Sequence, residues 1–206
     1  MECALDLARD AEDRWRQYKC LTWLAITSLE SGEHAAARRH CGELRLVARQ
    51  LGENEVPLAD MVTALADLAE SGSSALAGVE AALFNLRSVD DKSHLAYGLN
   101  TAAVRCLGLQ RTETAKSYAQ EALSVARTME RHGEAVVAEA ILAALEPGTV
   151  DHSDEKAARL QSSVYDNEQF SARVRTLVDH VTAAGSVAAK PPSRHSVQGP
   201  RRKIRR

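Results

Sequence analysis

Aromatic residues are scarce in this 206-residue chain: two Trp, four Tyr and two Phe make up 4% of it, although 45% is hydrophobic. The apolar mass is Ala, Leu and Val. Ala and Leu lose little on entering a helix, whereas a sheet of this length needs more β-branched and aromatic residues, so the composition argues against a β fold. Proline is equally thin. Three of the five prolines, Pro191, Pro192 and Pro200, stand in the last 16 residues, so almost nothing interrupts helices between Pro57 and Pro147. No apolar run reaches the roughly 18 residues of a membrane span. No basic, apolar leader opens the chain, and a soluble cytoplasmic protein is expected.

The residues that carry chemistry are also sparse. Cys3, Cys20, Cys41 and Cys106 lie too far apart for a two-residue-spaced zinc or redox motif. They read as reduced packing residues. Cys3 and Cys41, 38 residues apart, suggest the same small buried position on successive helices, with a disulfide open in principle. None of the seven histidines pairs with another at the one-face spacing, with an intervening Glu, of a helical zinc site. His152, between Asp151 and Asp154, reads as part of a capped helix start. Asp90-Asp91 reads as a connector, with Ser93 as the cap of the helix that follows. There is no Gly-rich phosphate loop, no Gly-flanked serine and no catalytic cysteine context. No catalytic residue, metal or cofactor is expected, and the chain reads as non-enzymatic by itself.

What the chain does contain is a repeat. The dipeptide Ala8-Arg9 returns as Ala48-Arg49 and Ala126-Arg127. Small and apolar residues at Leu21, Leu24, Ala25 and Ser28 precede a turn at Ser31-Gly32, and Ala37, Cys41 and Leu44 follow it. The same grammar reappears at Met61, Ala64, Leu65 and Leu68, then Ser71-Gly72, then Ala77, Ala81 and Phe84. A third copy has Leu99, Ala102, Ala103 and Cys106, a turn near Gln110, then Ala115, Ala119 and Ala122. Anchoring on Ala37, Ala77 and Ala115 gives steps of 40 and 38. A fixed period of this size implies stacked helical pairs that bury a continuous core between neighbours.

These small residues, late in one helix and early in the next, resemble the tetratricopeptide repeat over roughly residues 12 to 165. The step exceeds that family's usual length by about one helical turn, so longer helices are expected. The resemblance implies an all-α solenoid of antiparallel helix pairs. Its units would be a half repeat at 1–11, repeats at about 12–52, 55–90, 92–131 and 133–166, and a covering helix at 167–184. A disordered basic tail at 185–206 completes the chain. Arrays of this kind occur in the C-terminal regions of actinobacterial regulators.

In that family the first helices of successive repeats line a concave groove. Transferred here, the groove positions include Lys19, Thr22 and Ile26, then Val62 and Ala66, then Tyr97, Asn100 and Val104. This surface is mostly small and apolar, suited to an amphipathic helix from a partner or from a longer chain. The alternative is that long helices pack so closely that the groove is filled. At the start, Glu2 to Asp10 matches the second helix of a repeat with no first helix before it, so an apolar face is expected to lack a partner. A longer array, a second chain or a homodimer would cover it; the alternative is that this one helix is itself the N-terminal cap of the stack. Trp15 and Trp23 lie eight residues apart on one helical face, either packed in the core or held out for a partner.

The tail carries seven Lys/Arg from Lys190 onward, leaving the rest with 19 Lys/Arg against 28 Asp/Glu. Arg201, Arg202, Lys203, Arg205 and Arg206 could hold nucleic-acid phosphates or an acidic membrane surface, or pair with the acidic body. Two functions follow. One is a non-catalytic protein–protein interaction or signal-sensing module, the C-terminal part of a larger bacterial regulator. The other is a free-standing adaptor whose tail contacts nucleic acid.

Overall fold

The computed structural model describes residues 1–145. The second half of the 133–166 unit, the expected helix at 167–184, His152 and the basic tail with Arg201, Arg202, Lys203, Arg205 and Arg206 lie outside the described residues. Within them the chain is all-α, with no strand. Eight α-helices run in order: α1 (Glu2–Asp10), α2 (Arg14–Glu30), α3 (His34–Leu51), α4 (Val56–Ser71), α5 (Leu76–Ser88), α6 (Lys92–Gly108), α7 (Thr112–Thr128) and α8 (His132–Leu145). Short 3₁₀ segments at Glu53–Glu55 and Gly72–Ala75 precede α4 and α5.

The turns show why helices of this length stop where they do. After α1, α2, α6 and α7 the chain adopts one left-handed residue, at Glu12, Gly32, Gln110 and Glu130, with φ of 51°, 76°, 59° and 53°. In each case the next N–H reaches back to a carbonyl five residues earlier, as Asp13 to Ala8, Glu33 to Ser28, Arg111 to Cys106 and Arg131 to Ala126, at 2.8–2.9 Å. This double closure satisfies carbonyls that a helix end leaves bare. Only one of the four left-handed residues is glycine. The others accept a conformational cost of about 1 kcal/mol each, offset by the captured carbonyls.

Including Gly52 and Gly72, positive φ falls at 12, 32, 52, 72, 110 and 130, a step of 20 residues broken once by 38. Four residues earlier stand Ala8, Ser28, Ala48, Leu68, Cys106 and Ala126, all buried. The unit is therefore one helix and one turn, and the sequence period near 40 is two of these. The register slips by two residues only across α5.

That slip corrects the anchors read from the sequence. In α3 the buried row is Ala37, Cys41, Leu44 and Ala48, and in α7 it is Ala115, Ala119, Ala122 and Ala126. The matching row in α5 is Val79, Ala82 and Leu86, preceded by half-buried Ala75. Ala77, Ala81 and Phe84 are exposed, Phe84 by 70%. Gly72, at φ 62° and ψ −143°, opens a 3₁₀ turn instead of the left-handed stop at Gly32, and a 3₁₀ turn advances the chain with fewer residues. Two further corrections concern caps and cysteines. The cap of α6 is Asp91, whose Oδ1 accepts from His94 N at 3.3 Å, and not Ser93. Cys3 is exposed whereas Cys41 is buried, so they do not share a position, and all four cysteines are free.

Each helix packs on its sequence neighbours, and α2 with α4, α4 with α6 and α6 with α8 also touch. The even helices thus form an inner row, and α4 and α6 are apolar around most of their circumference. Residues Leu95 to Val104 of α6 are buried without exception. The odd helices α3 and α7 bury one stripe and show a charged outer face.

The corrected register also explains the outer ion pairs. Arg9 bonds Glu43, 34 residues on, and Arg87 forms a two-pronged pair with Glu121, 34 residues on, at 2.6 and 2.7 Å. Arg9, Arg49, Arg87 and Arg127 occupy one slot, immediately after Ala8, Ala48, Leu86 and Ala126. The acids lie six residues before the next arginine. The same rule sends Arg49 to Ala81, and among the described residues Arg49 has no ion pair. Ala81→Glu is expected to add the missing rung and stabilise the protein by about 0.5 kcal/mol. The check is the urea midpoint against Ala81→Gln, with the difference vanishing in roughly 1 M salt; equal midpoints in low salt would reject the register.

Candidate functional site

The groove positions transferred to the inner row are largely sealed. Thr22, Ile26, Val62, Ala66, Tyr97, Asn100 and Val104 are all buried, and only Lys19 is exposed. The even helices pack against one another as well as against the odd ones, so their inward side chains meet neighbours before they meet solvent. An incoming helix would have to displace that packing to touch them.

Polar atoms within the row are held at two places. Asn100 in α6 donates through Nδ2 to both the carbonyl oxygen and Oε2 of Glu134 in α8, at 2.9 Å each. Both residues are buried, with Asn100 fully enclosed and Glu134 only 2% exposed. Asn100 was legible as an amide in the apolar run Leu99 to Val104; the carboxylate it meets, 34 residues on, was not. At the edge formed by the starts of α2, α4 and α6, burial pushes the Tyr18 phenol up, with Glu55 beside it adding to the shift. Burial also raises the Asp91 carboxyl, but the His94 ring at 2.7 Å and the His94 backbone N–H outweigh it and leave Asp91 below its usual range.

Two buried thiols and a buried phenol are held in their protonated forms. Burial pushes the Cys41 and Cys106 thiols up to about 11, and the Tyr118 phenol up to about 12. A thiol so placed stays protonated near neutral pH and neither attacks nor ligates readily. Among the described residues no group of three His, Cys, Asp or Glu side chains could hold a metal ion. No described helix is long and apolar enough to cross a membrane.

The surface that stands open is at the other end of the row. Trp15 and Trp23 are 52% and 51% exposed, and Leu7 of α1 is 69% exposed. The Trp15 ring meets Tyr18 edge-on with centroids 5.9 Å apart, which fixes its direction without covering it. The core-packing alternative for the two tryptophans is therefore corrected: they sit on the outer arc of α2, beside Lys19. The register shows what is unusual here. Lys19 and Trp23 correspond to Ala59 and Thr63 of α4 and to Tyr97 and Thr101 of α6. Ala59, Tyr97 and Thr101 are buried and Thr63 is half-buried.

In α4 this arc faces α3. Arg38 bonds Asp67 and Glu70, and Arg45 bonds Asp60 and Thr63. The helix in the place of α3 for α2 is α1, which has 9 residues against 18. Gln17 Nε2 donates to the Ala8 carbonyl oxygen at 3.1 Å, which sets the level of the two helices and leaves Trp23 beside the first turn of α1. The signal available in the sequence was the pair of tryptophans eight residues apart on one helical face. Leu46 and Phe84, also exposed, occupy one outer slot, three residues before Arg49 and Arg87, and carried no such signal.

Compared with known proteins, the chain matches no family model, no curated protein and no solved structure.

Proposed function

We propose that this chain is a non-catalytic interaction module of the stacked-helix kind, resembling tetratricopeptide arrays, in which α2 with α3, α4 with α5 and α6 with α7 form antiparallel pairs of a solenoid. Three-residue turns, a 20-residue register and the contacts between alternate helices support that architecture. A partner is engaged at the α1–α2 end. The observation that carries this is the open arc of Lys19 and Trp23, whose counterparts in α4 and α6 are covered. Half-exposed tryptophans on a preformed helix are effective anchors because they bring large area with little loss of rotamer freedom.

The regulatory role, as the C-terminal part of a larger bacterial protein acting in the cytoplasm, rests on the resemblance alone. The nucleic-acid reading rests on the tail, outside the described residues. Photo-crosslinking tests the module reading. A photoreactive residue at position 23 of the full chain, expressed in a bacterial host, is expected to give a discrete protein adduct, and one at exposed Lys116 of α7 none. Absence of any adduct at 23, or equal adducts at both, would overturn it.

A further inference from the structure

We infer that the seam between α3 and α5, on the outer face, docks an acidic amphipathic helix of another protein. This is a second surface, separate from the α1–α2 arc, and its failure would leave the reading of Trp23 untouched. The odd helices are tied to one another by arginine. Arg9 of α1 bridges to Glu43 of α3, and Arg87 of α5 bridges to Glu121 of α7. Between α3 and α5 the same two slots hold Arg49 and Ala81, so this seam has no bridge. Arg39 and Arg49, both exposed on α3, form no ion pair among the described residues. A guanidinium held at a slot where its equivalents grip carboxylates is one half of a charge-assisted pair.

Two exposed apolar side chains flank the same seam. Leu46 of α3 and Phe84 of α5, three residues before Arg49 and Arg87, are 61% and 70% exposed. The equivalent residues of α1 and α7 are Asp6 and Ser124, so this slot is apolar only in the two helices beside the unbridged seam. Glu80, the one acid of α5, acts on Arg87 and on Tyr118 of α7, and therefore faces away from it. Charge then decides the occupant. Residues 146–206 of this chain hold 11 Lys/Arg against seven Asp/Glu, the wrong sign for a seam whose unpaired charges are arginines. A second copy presenting the same face would set Arg39 and Arg49 against their own counterparts, a like-charge contact that costs affinity. An acidic amphipathic helix satisfies both features, with a carboxylate on Arg49 and apolar side chains against Leu46 and Phe84.

Fluorescence polarisation tests this, with the full chain titrated at low salt into a labelled helical peptide of about five turns that carries Leu and Glu along one face. Binding with a dissociation constant on the order of 10 to 100 μM is expected. The same peptide with Lys in place of Glu is expected to bind at least about tenfold more weakly. Ala81→Glu gives Arg49 a carboxylate from its own chain. It is expected to weaken the acidic peptide at least about tenfold while raising the urea midpoint, a combination that partial unfolding cannot produce. Phe84→Ser, which installs the residue found at 124, is expected to weaken binding about tenfold with an unchanged melting temperature. No binding of the acidic peptide at about 1 mM, or equal binding of the two peptides, would overturn the inference. So would a Phe84→Ser protein that binds as wild type, or an Ala81→Glu protein that keeps the peptide or gains no stability.

Discussion

Gly98→Val is expected to lower the stability of the protein by about 2 to 3 kcal/mol, or roughly 5 to 10 °C in melting temperature. Gly98 lies where α6 crosses α4 and α5. A Cβ there would sit 2.9 Å from Met61 Sδ, 3.1 Å from Met61 Cγ and 3.3 Å from Leu83 Cδ2. A flexible methionine can normally yield to such an intrusion. Here Met61 and Leu83 are both fully enclosed, so a displaced thioether has no solvent to move into. Gly98→Ala sets two effects against each other, since alanine favours the helix by about 1 kcal/mol while its methyl group meets Met61. Valine removes the ambiguity by adding two further carbons and β-branching.

The diagnostic is the coupling with Met61. Met61→Ala alone costs about 2 to 5 kcal/mol through the cavity it leaves. In the Gly98→Val background that cavity receives the valine, so the two losses should sum to less than their separate values by at least about 1 kcal/mol. Urea unfolding of the four proteins in the cycle measures it. Strict additivity would mean that α4 and α6 do not meet at this point, and the inner row would have to be redrawn.

The second large effect is expected at the buried amide. Asn100→Asp keeps the shape of the side chain but replaces its donor with a carboxylate facing Glu134 Oε2, now 2.9 Å away from Asn100 Nδ2. Two buried carboxylates cannot both stay ionised at that separation without a penalty of about 3 kcal/mol at pH 7. The sign of the pH dependence follows. One carboxyl of the pair has its folded-state pKa raised above the unfolded value, so the folded variant binds a proton more tightly than the unfolded chain. Its stability is restored below the unfolded carboxylate range and is lost as the pH rises through the raised value. Wild type and variant should therefore converge on acidification from pH 7 toward pH 5, read as the gap in urea midpoint. A gap that does not narrow would show that Glu134 does not share its proton with position 100.

These variants probe what joins α6 to its neighbours, and that junction is where sequence and structure part company. Ser31-Gly32 and Ser71-Gly72 are the same dipeptide, and reading them as the same turn put Ala77, Ala81 and Phe84 inside. The backbone at Gly72 takes another route, and the inward row begins two residues earlier, at half-buried Ala75. Conversely, the turn at Gln110 has no glycine and nevertheless holds the left-handed conformation of Gly32. A left-handed residue is stabilised by the carbonyls its neighbours capture, so the identity of that residue alone does not reveal the turn. Leu86-Arg87 escaped notice for a similar reason. Its leucine hides the kinship with Ala8-Arg9, yet its arginine makes the same cross-helix pair.

The all-helical character, the short connections and a near-regular period were legible in the sequence because each depends on local preferences: helix-forming composition, apolar spacing and the absence of proline. Those properties are decided within a few residues of chain. Whether a given face is covered is a different kind of fact. Lys19 and Trp23 lie at the same helical positions as Ala59 and Thr63, and nothing in the periodicity separates them. The tertiary structure alone decides that one arc is buried and the other open. Burial depends on which side chains the facing helix presents, and Thr63 meets Arg45 of α3 whereas Trp23 remains half exposed beside the first turn of α1.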